Sequence, residues 1–85
     1  GKPLILHVDD DRDMLQITAA ALAGCGEVVS VESLAEARSA VRRRRPDVAV
    51  LDIGLSDGSG LDLLPELRSP GEGVPVEVFT AQEVE

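Results

Sequence analysis

Three apolar runs of this chain end in oxygen-bearing side chains. Leu4-Ile5-Leu6-His7-Val8 gives way to Asp9-Asp10-Asp11, Val48-Ala49-Val50-Leu51 to Asp52, and Val76-Glu77-Val78-Phe79 to the hydroxyl of Thr80. Carboxylates brought within a few ångströms of one another repel, which raises the apparent pKa of the group until a cation relieves it. Hard oxygen ligands suit Mg²⁺ or Mn²⁺, and Mg²⁺ typically takes one or two carboxylates, keeps several waters and shares a substrate phosphate. An aspartate beside such an ion can act as a nucleophile toward phosphorus, because the ion screens the charge of the incoming phosphoryl group. In a site of that kind Thr80 supplies a hydroxyl donor to a phosphoryl oxygen.

The surrounding elements must bring these residues together. Short apolar runs alternating with helical patterns are the sequence form of a parallel α/β sheet, whose ligand sites lie at the carboxyl ends of the strands. Residues 4 to 9 read as a first strand, apolar on both faces as a central parallel strand should be. Asp11 can cap a helix from about Arg12 to Ala23, ended by Gly24 and Gly26. Glu27 to Val31 is a second strand, and Ser33-Leu34-Ala35-Glu36 is a capping box for a helix to about Arg44, stopped by Pro46. Asp47 to Asp52 is the third strand. Ile53 to Gly58 is then a glycine-containing loop at the carboxyl edge, and Ser59 with Asp62 a weaker capping signal for a helix to about Arg68. Ser69-Pro70-Gly71-Glu72-Gly73 reads as a connecting loop, and Pro75 leads into a fourth strand, Val76 to Phe79.

Bulk composition narrows the function. Eighty-five residues make one domain, which buries only about 60 to 65% of the surface its unfolded form exposes. A net charge of −8, from 16 acidic and 8 basic residues, argues against this segment gripping a nucleic-acid backbone and for a small cation as partner. A single aromatic residue, Phe79, leaves no stacking platform for bases or sugars. One cysteine, Cys25, makes no internal disulfide, and no stretch approaches the roughly 20 apolar residues of a membrane span. With no signal-peptide pattern, a cytoplasmic location and no membrane contact are expected.

Other residues that could carry chemistry read more simply. Asp9-x-Asp11-x-Asp13 starts like a calcium loop, yet Met14 stands where the tight-turn glycine is needed and Ala20 where the bidentate glutamate is needed, so Asp11 and Asp13 belong to helix capping. Gly58 and Gly60 read as turn residues and make no dinucleotide fingerprint, His7 as a packed histidine, and Cys25 as an incidental thiol. Arg42 to Arg45 read as a solvated helix end whose charge suits the helix dipole.

Taken together the motifs resemble the receiver domain of bacterial two-component response regulators (CheY-like). The first-strand signature stands here as Ile5-Leu6-His7-Val8-Asp9-Asp10 and the phosphoacceptor signature as Pro46-Asp47-Val48-Ala49-Val50-Leu51-Asp52. Ile53-Gly54-Leu55-Ser56-Asp57-Gly58-Ser59-Gly60-Leu61 is similar to the family's phosphoacceptor loop, and Pro75-Val76-Glu77-Val78-Phe79-Thr80-Ala81 to its fourth strand. The resemblance implies a flavodoxin-like doubly wound parallel sheet, strand order 2-1-3-4 in the part present, with Asp52 as phosphoacceptor. It further implies Asp10 as a direct Mg²⁺ (or Mn²⁺) ligand, Asp9 as a ligand mainly through water, Asp52 and the main-chain carbonyl of Gly54 as further ligands, and Thr80 as the switch hydroxyl. The implied phosphoryl donor is a histidine kinase or phosphotransfer protein, and the domain is a phosphoacceptor rather than an enzyme.

Two departures from the pattern stand out. Ser56 occupies a position where the family usually has proline, and the family's fifth strand, the lysine at its end and the last helix lie outside residues 1–85. The chain therefore reads as a single receiver domain, C-terminally incomplete. We expect either a piece of a longer polypeptide, or an open fourth-strand edge and half-covered sheet face closed by another chain through dimerisation or segment exchange. Two other functions compete. A haloacid dehalogenase-type phosphatase needs a second aspartate two residues after the nucleophile, where Asp52 has Gly54; Asp9-x-Asp11 has that spacing but lacks the threonine that should follow. A receiver-like scaffold without phosphotransfer activity would retain the fold, but every acidic residue of the motif is present.

Overall fold

Every residue of β1 (Leu4–Val8) is buried, which is what an apolar run needs if it is to lie at the centre of a sheet covered on both faces. The computed structural model describes residues 2–69, 72–73 and 76–79. After β1 come α1 (Arg12–Leu22), β2 (Glu27–Val31), α2 (Leu34–Arg43) and β3 (Val48–Asp52). A short hairpin, β4 (Gly54–Leu55) and β5 (Gly58–Ser59), leads through a 3₁₀ turn (Gly60–Leu63) into α3 (Leu64–Leu67). A second two-residue pair, β6 (Arg68–Ser69) and β7 (Glu72–Gly73), precedes β8 (Val76–Phe79).

The helix starts follow from capping chemistry. Asp11 takes hydrogen bonds from the N–H groups of Asp13 at 3.0 Å and Met14 at 3.3 Å, satisfying donors that have no partner inside α1. Ser33 caps α2 by accepting from Glu36 N at 3.1 Å. The reciprocal half of the expected capping box is displaced by one residue, for Glu36 Oε1 accepts from Glu32 N at 2.9 Å rather than from the cap residue.

β2, β1, β3 and β8 form one parallel sheet in that order. This is the expected 2-1-3-4 arrangement, with β8 as the fourth strand. One face carries Leu6, Val8, Ala49 and Leu51, which pack with Leu34, Ala37 and Val41 of α2 and with Leu63 and Leu67 into the main core. The other face, carrying Ile5, His7, Val48 and Val50, lies toward α1. There Ile5, Val48 and Val50 line a groove of about 610 Å³ together with Met14, Ile17 and Leu22.

Three local expectations need correction. The segment after β3 is a folded hairpin rather than an open loop, because Gly54 pairs with Ser59 and Leu55 with Gly58, and this buries Leu55. The helix expected to run to Arg68 begins as a 3₁₀ turn and ends at Leu67: the full Ser59–Asp62 capping box is present, but Pro65 lacks the N–H that a continuous α-helix would bond to the Leu61 carbonyl, so α geometry begins only at Leu64. Residues expected to be a plain connection form the antiparallel pair Arg68↔Gly73 and Ser69↔Glu72, in which flanking backbone groups satisfy one another.

Candidate functional site at the carboxyl edge of the sheet

Parallel pairing sets the site. β1 and β3 are in register as Ile5↔Val48, Leu6↔Ala49, His7↔Val50 and Val8↔Leu51; one residue further on, Asp9 and Asp52 stand side by side. Asp10 follows Asp9, and one carboxylate oxygen from each of Asp9, Asp10 and Asp52 lies within 4.8 Å of the others. Burial falls across the trio. Asp9 is 8% exposed, Asp52 half-buried and Asp10 exposed, so the group forms a shallow acidic notch whose deep wall is Asp9.

Local hydrogen bonds hold the two inner members in place. Asp9 Oδ1 accepts from Asp11 N at 2.9 Å, while Asp9 N donates to Val31 O at 3.1 Å. Asp52 Oδ1 accepts from Gly54 N at 3.3 Å. The pKa of Asp52 is raised, first by burial at the end of β3 and then by the charge of Asp9 and a hydrogen bond with Asp9 that only a protonated carboxyl can donate; N–H donation from Gly54 and Ile53 opposes this. Like-charge repulsion therefore contributes as the spacing implies, but desolvation is the larger cause.

His7 lies under the notch, in line with Asp9 along β1. It is 1% exposed, and burial lowers its pKa against the opposing pull of Asp9 and Asp52. Among the described residues its Nδ1 has no hydrogen-bond partner. A buried ring whose pKa is held down is the packed histidine expected from its mid-strand position.

The glycines divide into distinct roles. Gly54 has open space around the position a side chain would take, and its carbonyl is a candidate ligand. Gly60 is more than a turn residue: a Cβ there would collide with the main-chain carbonyl of Asp52, so the chain returns past Asp52 only because this position lacks a side chain. Gly58 sits at φ +148°, a backbone region that favours glycine.

Of the expected site residues, Asp9, Asp10, Asp52 and Gly54 are thus brought to one edge. β8 is paired so that Phe79 stands opposite Asp52; Thr80, the expected switch hydroxyl, lies outside the described residues. Asp11 caps α1 as expected. The basic run is more engaged than a solvated end, for Arg44 pairs with Glu27 at 3.1 Å and Arg45 donates to the carbonyl of Leu67 at 2.6 Å. Sequence reasoning missed Asp57, whose carboxylate takes bonds from the N–H groups of Leu34 and Ala35; an Asp-Gly pair signals a turn and says nothing of a partner 23 residues away.

Comparison with known proteins gives one consistent result. The model of the response regulator receiver domain matches residues 5–85. The probable transcriptional regulatory protein TcrX of Mycobacterium tuberculosis is 41% identical over 85 residues, covering 98% of this chain and 36% of that protein. The KDP operon transcriptional regulatory protein KdpE of Escherichia coli is 34% identical, covering 95% and 36%. The chain thus spans about a third of the length of these curated relatives. Among solved structures, the non-phosphorylated HemR receiver domain of Leptospira biflexa superposes with TM-score 0.83 at 32% identity, covering 95% of this chain and 66% of that one. The MaeR response regulator bound to beryllium trifluoride gives 0.81 at 33%, covering 96% and 70%.

Proposed function

The chain belongs to the response regulator receiver domain family, the phosphorylatable signal receivers of two-component systems, and from that premise we propose that Asp52 is its phosphoacceptor. The observation that carries this reading is the juxtaposition of Asp52 with Asp9 and Asp10 within 4.8 Å at the carboxyl edge. Asp52 is half-buried yet reachable, as an acceptor must be.

Receiver domains generally bind Mg²⁺ through an acidic pocket, and an all-oxygen notch of three carboxylates fits that ion. In this chain Asp9, Asp10, Asp52 and the Gly54 carbonyl would hold it, with Mn²⁺ as a substitute. When bound, the cation supplies screening of the negative charge on an incoming phosphoryl group. The remaining chemistry belongs to the protein. A carboxylate oxygen of Asp52 forms a new O–P bond as the donor's N–P bond breaks, and the released imidazole of the donor takes up a proton. Gly54 N and Asp9 orient the accepting carboxylate, and Thr80 is proposed to donate to a phosphoryl oxygen of the product. The donor is a histidine kinase or phosphotransfer protein, and the setting the cytoplasm; among the described residues no helix is long and apolar enough to cross a membrane.

Incubation with acetyl phosphate and Mg²⁺, followed by intact-mass measurement, tests the assignment. One added phosphoryl group in the wild type and none in Asp52→Asn is expected; undiminished labelling of that variant would refute it.

A further inference from the structure

The hairpin that follows Asp52 is fastened at its tip to a helix on the far side of the chain. The first turn of α2 offers three backbone N–H groups with no partner inside the helix, and a side chain answers each. Asp57 Oδ1 accepts from Leu34 N at 2.9 Å, Asp57 Oδ2 from Ala35 N at 3.1 Å, and Ser33 Oγ from Glu36 N at 3.1 Å. Both oxygens of one carboxylate are thus engaged at the positive end of the helix dipole, and these two bonds are the main reason the pKa of Asp57 is lowered. Leu55, on the other arm of the same turn, is buried in the core with Leu34. At its near end the hairpin is tied to Asp52 through Gly54 N to Asp52 Oδ1, and its base is closed by Gly60 N donating to Ile53 O. Gly54 therefore rides on a two-strand ladder held at both ends, while Ser33 caps the same helix from within.

We propose that Asp57 is a positioning residue for the cation site: by clasping α2 it fixes the β4–β5 hairpin, and with it Gly54, whose N–H holds Asp52 Oδ1. Cation binding at the acidic notch is then coupled to the Asp57 clasp on Leu34 N and Ala35 N. Coupling of this kind is reciprocal, so occupation of the notch tightens the clasp as much as the clasp favours occupation. The inference rests on the reading of the notch as a Mg²⁺ site, and the experiment separates the two.

Mg²⁺ alone is titrated into the whole chain by calorimetry for the wild type, Asp57→Ala, Ser33→Ala and Asp52→Asn, and amide hydrogen exchange at Leu34 and Ala35 is followed in the wild type with and without Mg²⁺. Asp57→Ala is expected to weaken Mg²⁺ about fivefold or more, the low end of coupling between sites. Ser33→Ala, which removes a cap from the same helix without touching the hairpin, leaves the affinity unchanged, and Mg²⁺ slows exchange at both amides. Equal affinities in Asp57→Ala and the wild type, with Asp52→Asn weakened, would overturn the positioning role alone. Unchanged exchange at Leu34 and Ala35 would do so even if Asp57→Ala failed to fold. Absence of Mg²⁺ binding by the wild type, or undiminished binding by Asp52→Asn, would overturn both readings.

Discussion

Among the described residues the two faces of the sheet are covered to different degrees. Toward α2 and α3, Leu6, Val8, Ala49 and Leu51 are at most 2% exposed and meet a continuous layer of leucine and alanine. Toward α1, the same strands present Ile5, Val48 and Val50 to a groove of about 610 Å³, and α1 itself leaves Ile17 65% and Met14 42% exposed. The clustered carboxylates continue the rows of this second face, since Asp9 extends Ile5 and His7 while Asp52 extends Val48 and Val50. Within the described residues, tight packing fixes the sheet from one side, and the three carboxylates lie at the carboxyl end of its two central strands.

Truncation at neighbouring positions tests that contrast most strongly. Leu6→Ala should destabilise the domain by about 3 to 5 kcal/mol, and Ile5→Ala by about 2 to 3, because the cavity left at Ile5 merges with an existing groove. Urea unfolding followed by circular dichroism reads both; equal losses would show that the two faces are packed alike. Gly60→Ala brings the effect to the edge. A Cβ at position 60 meets the Asp52 carbonyl, so the backbone must move, with an expected loss of about 1 to 3 kcal/mol, as for other overpacked sites, and reduced labelling of Asp52. Wild-type labelling in a folded Gly60→Ala variant would show that the close approach does not position the acceptor.

Cation binding should give a smaller change. At ten times Kd, Mg²⁺ adds RT ln(1 + [L]/Kd), about 1.4 kcal/mol, to the folded state. Melting curves with and without Mg²⁺ should show the gain in the wild type and lose it in Asp52→Asn; an unshifted wild-type curve at millimolar Mg²⁺ would count against the notch as a metal site. The gentlest test is pH. Asp57 has a lowered pKa because of its bonds to Leu34 N and Ala35 N, so its contribution is present above the ordinary carboxylate pKa and is lost as pH falls through the lowered value. Asp57→Asn should therefore flatten the acid limb of a stability-versus-pH curve, and an unaltered limb would contradict the assigned cause.

The sheet was the most legible part of the chain. Strand bounds at Glu27–Val31 and Val76–Phe79 coincide with expectation, because apolar runs bounded by turn residues leave few alternatives. Asp9, Asp10 and Asp52 were legible for the same reason: each follows an apolar run, and parallel pairing carries run ends to one edge. What escaped reading depends on contacts between distant segments. Asp57 looks like any turn residue until the fold sets the hairpin tip on α2. Gly60 looks like a second turn glycine until the return of the chain past Asp52 is known. Arg45 belongs by sequence to a charged helix end, and only the placement of α3 gives its guanidinium two carbonyls to bind.

Trapping the acyl phosphate shows which carboxylate of this edge accepts the phosphoryl group, proposed here to be Asp52. Protein treated with acetyl phosphate and Mg²⁺ is reduced with borohydride, which converts a phosphorylated aspartate to homoserine, and the peptides are sequenced by mass spectrometry. Homoserine is expected at position 52, with Asp9 and Asp10 unmodified. Homoserine at position 9 or 10, with Asp52 intact, would contradict that assignment.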